Sequence, residues 1–262
     1  LRGAAALGPR PQGRLLRRSA GPRRARARGV EHPGQRVHAA LRRGLLPVHA
    51  HHDAPRVVSR WSVDCDADRR ARLFGLLLLA LRGNAFIYQG EELGLPQADV
   101  PFEALRDPEA IAHWPHSLGR DGARTPMPWA KNKTNAGFSA NTPWLPVDPT
   151  HLPLAVDAQE ADPDSTLHFF RSVIELRRSS KALREGDLEF IDSPENVLAF
   201  VRSAPGEQLL CVFNLGLTPV EWVPSNARDA KILFSSSIEI ASIPNTLDAH
   251  CGYIATSDAH NS

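Results

Sequence analysis

The 262 residues hold 31 Lys+Arg against 29 Asp+Glu, and the resulting net charge of +2 averages two unlike parts. Residues 1–45 contain twelve Arg, no Lys, no Asp and one acid, Glu31, which leaves 19 basic and 28 acidic residues for 46–262, a formal charge of −9. The longest apolar run, Leu76 to Leu81, is far short of the roughly 18 residues of a membrane helix, so no membrane partner is expected.

The opening segment, 1–45, is rich in Arg, Ala, Gly and Pro and has no aromatic residue. It offers too little apolar surface to offset the entropy of ordering. A basic arm for nucleic-acid phosphates is one reading. Arg to the exclusion of Lys, however, is also what a GC-rich reading frame yields when translated out of register. The sequence therefore predicts a disordered or aberrant segment and no nucleic-acid partner. It contains no secretory signal pattern, and Cys65, Cys211 and Cys251 are scattered and without metal-ligand spacing. A reducing, cytoplasmic location is the expectation.

Pattern begins near residue 46. Leu45 to Val48 form an apolar approach to His49, His51, His52 and Asp53. On a strand His49 and His51 share one face while His52 faces the other, so a metal site is not expected; a polar cluster at the carboxyl end of a barrel strand is. Asp66 to Arg82 reads as a helix, with acids near its start, Leu73, Leu76, Leu77 and Ala80 at helical spacing, and Gly83-Asn84 as a stop. Ala85 to Tyr88 reads as a short buried strand opening into Gln89-Gly90-Glu91-Glu92. Residues 96–163 show little periodicity, as a long functional loop does.

A second helix is expected over Ser165 to Ser179, capped by Asp164 or Ser165. Beyond Gly186 the runs Leu188 to Ile191, Val197 to Arg202, Gln208 to Asn214, Val220 to Val223, Lys231 to Phe234, Ser237 to Ala241 and Gly252 to Ala255 have strand character. The resulting division is 1–45, 46–185 and 186–262, the last a small antiparallel β domain.

Three segments then carry a resemblance: His52-Asp53-Ala54-Pro55-Arg56, Tyr88-Gln89-Gly90-Glu91-Glu92-Leu93-Gly94, and Gly119-Arg120-Asp121-Gly122-Ala123-Arg124-Thr125-Pro126-Met127-Pro128-Trp129. In content, order and spacing they resemble the late motifs of α-glucosidases in the α-amylase superfamily of glycoside hydrolases. Ala136-Gly137-Phe138-Ser139 and Pro143-Trp144-Leu145-Pro146-Val147 are similar to that family too.

The resemblance implies the carboxyl-terminal part of a (β/α)8 TIM barrel, with strands seven and eight and a long eighth loop over 46–185, followed by a β-sandwich-like domain. It implies an α-glucoside or oligosaccharide substrate and no cofactor. Asp53 matches the family's third acidic residue, the transition-state stabiliser, and His52 a hydrogen-bond donor to the sugar beside it. Arg120 or Arg124, with Arg120 favoured, would hold the terminal glucose, and Phe138 would wall its face. Trp129 and Trp144 are also aromatic, but loop packing is the simpler expectation for both. Glu91 and Glu92 are adjacent, point apart on a strand, and are expected to be structural.

Retaining glycosidases use two further carboxyl groups, nucleophile and acid/base. By the resemblance these precede the His-Asp pair, where the chain offers only Glu31. The sequence thus predicts a catalytically incomplete portion of an exo-acting α-glucosidase. The alternatives are a noncatalytic carbohydrate-binding or interaction fragment, and a glucosyl-transferring or sugar-isomerising relative. Nothing in the sequence specifies an oligomeric state.

Overall fold

A computed structural model describes residues 52–60, 66–116, 119–227, 229–237 and 240–256. The basic segment 1–45, the run leading to His49 and His51, and Cys65 lie outside the described residues.

Helix α1 (Val57–Arg60) is a single turn, and α2 (Ala67–Ala80) follows it. The Asp66 carboxylate caps α2 by accepting from the Asp68 amide at 3.0 Å. Leu81 turns extended and ends the helix two residues before the expected Arg82. Nearly every residue of α2 from Arg70 onward is buried, the mark of an interior helix rather than an amphipathic one. Its main partner is α5 (Thr166–Ser179), capped by Ser165. The two helices touch at Gly75, where an added Cβ would stand 2.4 Å from Phe170 Cζ.

The expected strand Ala85–Tyr88 is not formed: none of its residues pairs in a sheet, and Phe86 is 69% exposed. The physical reason is the lack of a ladder. A parallel strand needs neighbours to take up its amides and carbonyls, and every strand pairing among the described residues is antiparallel. The Tyr88 amide donates instead to the Glu91 carboxylate at 2.7 Å, and the chain closes into a turn.

The long loop is more ordered than its aperiodic sequence suggests. Helices α3 (Pro108–His113) and α4 (Val156–Glu160) lie in it, with 3-10 turns at Phe102–Ala104, Asp121–Ala123, Thr134–Gly137 and Pro149–Leu154. Asp107-Pro108 and Asp148-Pro149 start two of these elements, each Asp accepting from an amide two residues on, as a capping acid followed by a first-position proline does.

After α6 (Lys181–Glu185) come strands β1 (Asp187–Phe190), β2 (Val197–Ala204), β3 (Glu207–Asn214), β4 (Val220–Glu221), β5 (Ile232–Ser235), β6 (Thr246–Leu247) and β7 (Gly252–Thr256). Five form an antiparallel sheet in the order β1-β2-β3-β7-β5; β4 and β6 form a ribbon. The strand expected over Ser237–Ala241 is absent from its described residues, because the Ile240 amide returns to the Ser237 carbonyl at 3.3 Å and closes a turn. Strand alternation sorts the sheet into two faces. Leu198, Phe200, Leu209, Cys211, Phe213 and Ile254 pack with α2 and α5; Val197, Ala199, Leu210, Val212, Tyr253 and Ala255 pack with residues of the ribbon side. Cys211 and Cys251 are therefore buried in separate clusters, and burial pushes the Cys211 thiol up to about 12.

One helix-and-sheet core thus runs through residue 185. Arg202, fully buried on β2, ties it together by donating to the carbonyls of Ala80 at 2.6 Å, Leu183 at 3.1 Å and Gly186 at 3.0 Å. These are the open carbonyl ends of α2 and α6, where the helix dipole is negative. Arg177 does the same for the carbonyls of Leu79, Leu81 and Gly83.

Candidate active site

The three motif segments, far apart in sequence, converge on the Arg56 side chain, which is 1% exposed. Its Nη1 donates to the Gln89 carbonyl at 2.5 Å and its Nη2 to the Ala123 carbonyl at 3.2 Å. Tyr88 Oη donates to the same Ala123 carbonyl at 3.0 Å. Burial lowers the Arg56 pKa, with Tyr88, Glu92 and Glu91 acting in the opposite direction. Gly90 is required twice over: its φ is +86°, and a Cβ there would meet Arg56 Nη1 at 2.6 Å. Arg56 thus holds residues 52–56, the turn after Tyr88 and the turn at Asp121–Ala123 in one place.

Asp53 lies at the open edge of this junction, its side chain 46% exposed. Arg124 Nη2 donates to Asp53 Oδ1 at 2.6 Å, and Arg124 Nε to the His52 carbonyl at 2.8 Å. Arg120 Nη1 stands 3.6 Å from the same Oδ1. On the other oxygen, His52 Nε2 lies 3.1 Å from Asp53 Oδ2. Exposed ion pairs of this kind contribute about 0–1 kcal/mol each, so the arrangement serves orientation more than stability.

Arg120 is positioned by a residue that sequence reasoning missed. Asp107, buried, accepts from Arg120 Nε at 3.0 Å, Arg120 Nη2 at 2.7 Å and the Arg120 amide at 2.8 Å. The Arg120 hydrogen bonds hold the Asp107 carboxyl well below the usual carboxylate range despite its burial. Reciprocally, Asp107 and then Asp53 raise the Arg120 pKa. Asp121 in turn accepts from the amides of Arg106 and Asp107 at 2.6 and 2.7 Å. Gly119 permits the contact, since a Cβ there would stand 2.6 Å from Asp107 Oδ2. The Asp-Pro pair at 107–108 marks a helix start in the sequence, but nothing local links it to Arg120.

The structure thus brings together His52, Asp53, Arg120 and Arg124. Phe138, 47% exposed, lines a different recess with Lys133, Thr134 and Ser139. Trp129 and Trp144 are not packed into the loop as expected: they are 51% and 67% exposed. The reason is that apolar residues with fewer polar atoms fill the loop interior, namely Val100, Leu105, Ala110 and Leu145. Glu91 and Glu92 accept from the amides of Tyr88 and Gly90 at 2.7 and 2.8 Å and shape the turn. Burial raises the Glu92 pKa. Among the described residues no group of three or more His, Cys, Asp or Glu could hold a metal ion. None of their helices is long and apolar enough to cross a membrane.

Positions 34–186, more than half of the chain, match the model of the alpha amylase catalytic domain. The chain is 45% identical over 167 residues to a probable alpha-glucosidase of Rhizobium meliloti (strain 1021), a stretch covering 63% of this chain and 30% of that protein. Among solved structures it superposes on the alpha-glucosyl transfer enzyme XgtA with a TM-score of 0.70 at 37% identity, covering 79% of this chain and 39% of that one. It superposes on the trehalulose synthase MutB from Pseudomonas mesoacidophila MX-45 with a TM-score of 0.69 at 28% identity, covering 79% and 42%. The chain therefore spans about a third of the length of the curated relatives it matches.

Proposed function

The chain belongs to the alpha-amylase family, whose fold is a TIM barrel with an antiparallel sheet, and on that premise we propose that it forms part of a retaining, exo-acting α-glucosidase that cleaves α-glucosidic bonds of oligosaccharides. The observation that carries this reading is the Asp53 carboxylate, oriented on one oxygen by Arg124 and on the other by His52, with its outer edge open.

In this reading Asp53 accepts hydrogen bonds from sugar hydroxyls beside the bond being broken, and these strengthen as the oxocarbenium-like state develops. His52 turns its one N–H from Asp53 to a neighbouring sugar hydroxyl, a donor aimed at the transition state. Arg124 spends Nε and Nη2 on the His52 carbonyl and on Asp53 and so fixes the segment. Arg120 holds the terminal glucose. Its Nε and Nη2 are fixed by Asp107 while Nη1, at 3.6 Å from Asp53, lies beyond ordinary hydrogen-bond length and is available to a sugar hydroxyl. Phe138 offers an apolar face to the sugar from its own recess.

Hydrolysis with retention also needs a nucleophile and an acid/base about 5–5.5 Å apart. Ahead of Asp53 the chain carries one carboxylate, Glu31, so the chain by itself does not turn over. The test uses two proteins: the purified chain, and a chimera in which residues 50–256 replace the matching part of the Rhizobium relative. An aryl α-glucoside should be hydrolysed by the chimera alone, and Asp53→Asn in the chimera should reduce kcat/KM by about 10²- to 10³-fold or more. Full activity of the Asp53→Asn chimera sinks the reading; saccharide binding with no turnover in either protein supports a noncatalytic module instead. The similarity to a glucosyl transfer enzyme and to a trehalulose synthase favours a second reading, transfer to a sugar hydroxyl or isomerisation. Product analysis on sucrose and maltose separates these from hydrolysis.

A further inference from the structure

The long loop encloses a second concavity, of about 550 Å³, whose lining includes none of His52, Asp53, Arg120 or Arg124. That volume is within the range of small-molecule sites. Its charged lining is of one sign: Arg106, Lys131 and Lys133 face it with Trp144, and no Asp or Glu is among the residues around it. This contrasts with the formal −9 carried by residues 46–262.

Backbone hydrogen bonds of Lys131 and Lys133, and one side-chain bond of Arg106, fix the segments that carry these groups. Arg106 Nε donates to the Trp144 carbonyl at 3.4 Å, which leaves both Nη groups for another acceptor. Asp107, next to Arg106, is buried on Arg120, Asp148 accepts from the amides of Thr150 at 2.8 Å and Asp99 at 3.2 Å, Asp157 accepts from the Lys131 amide at 2.9 Å, and Glu103, next to Ala104, is exposed. One wall contains Asn135 and Ala136 at φ +50° and +52°. A left-handed alanine costs about 1 kcal/mol or more. It is held there because the Ala136 carbonyl accepts from the amides of Trp129 at 2.9 Å and Ala130 at 2.8 Å, while Asn135 Nδ2 donates to the Ser139 and Asn141 carbonyls.

A largely exposed indole presents an apolar face suited to a pyranose ring, and clustered cations suit an oxyanion. We propose that this recess binds an anionic carbohydrate, a saccharide bearing a phosphate or carboxylate group, with Trp144 against the ring and Arg106, Lys131 and Lys133 on the anionic substituent. The site is independent of hydrolysis at Asp53.

The test is titration of the full chain with glucose 6-phosphate, glucuronate, inorganic phosphate and maltose, followed by tryptophan fluorescence and calorimetry. At least one anionic sugar should bind, with affinity that falls as salt is raised, and maltose should leave the signal unchanged. Which of the two anionic sugars binds more tightly distinguishes phosphate from carboxylate. Lys131→Ala/Lys133→Ala, both exposed positions whose folding is checked by circular dichroism, should weaken binding about tenfold or more. Trp144→Ala should reduce the anionic sugar to the affinity of inorganic phosphate while leaving phosphate itself unaffected. The proposal is overturned by equal binding of maltose, by an unchanged Kd in the double lysine variant, by inorganic phosphate binding as tightly as either sugar, or by the folded parent binding neither anionic sugar. Because no outcome depends on turnover, its failure is distinguishable from failure of the glucosidase reading.

Discussion

Arg120 and Asp107 meet as a fork on a carboxylate, Nε to Oδ2 at 3.0 Å and Nη2 to Oδ1 at 2.7 Å, and the third guanidinium nitrogen is left 3.6 Å from Asp53. A buried acid thereby aims a cation at the exposed acid of the candidate site. The same Asp107 also caps α3 through the Glu109 amide, so one side chain couples a helix start to the placement of Arg120. Asp107→Ala loses both functions and Asp107→Asn keeps a cap. The alanine variant should be the less stable by urea denaturation, by about 1 kcal/mol for the cap, and in the active chimera both variants should raise KM more than they lower kcat.

Arg202 should be among the most sensitive positions in the fold. Arg202→Met removes the donor shared by the carbonyls of Ala80, Leu183 and Gly186 and leaves them buried without it, at a cost of about 3 kcal/mol or more. Burial lowers the Arg202 pKa to about 10, still well above neutrality, so the side chain remains charged. Arg177→Met should cost less, about 1–2 kcal/mol, because its bonds to Leu79 and Leu81 are only partly buried and that to Gly83 is exposed, where water replaces the lost donor. Equal losses in parallel urea titrations would contradict this account.

Acid sensitivity should come in two stages. His151 is fully buried, its Nε2 lies 2.9 Å from the Pro96 carbonyl, and its Nδ1 has no partner among the described residues. Burial, reinforced by the Arg56 charge, holds its pKa below the usual 6.5. The unfolded chain then takes up the proton more readily than the folded one, so this contribution is present above pH 6.5 and is lost as pH falls. The Asp107 carboxyl, held below its usual 3.8, adds a second loss only beneath that value. Tm measured from about pH 8 to about pH 5 should decline in the parent, and His151→Gln should flatten that slope.

Gly75→Ala should destabilise even though alanine is the better helix former by about 1 kcal/mol. The new Cβ would fall 2.4 Å from Phe170 Cζ, and overpacking of this kind costs about 1–3 kcal/mol. A double-mutant cycle with Phe170→Leu should show a favourable coupling. Additive effects would mean that the α2–α5 contact is looser than described.

Much of this protein follows from local sequence alone. The apolar runs on either side of Pro205-Gly206 dictate two strands, the Leu run between Asp66 and Gly83 a helix, and Ser165 the start of α5, because propensity, capping and periodicity act within a few residues. The three motifs likewise identify the family, since order and spacing are linear properties. Only the tertiary structure decides that Arg56 gathers those motifs, that Asp107 aims Arg120, that Trp144 stands exposed beside three cations, and that Ala85 to Tyr88 forms no strand. Each depends on partners dozens of residues away: a hydrogen bond between positions 56 and 123, or a ladder that must be supplied by a neighbouring strand, leaves no periodic trace in the segments it joins. The net charge of +2 illustrates the same division. Sequence counts already separate a basic opening from an acidic remainder, but only packing shows that within that acidic part three cations share a recess lined by no acid.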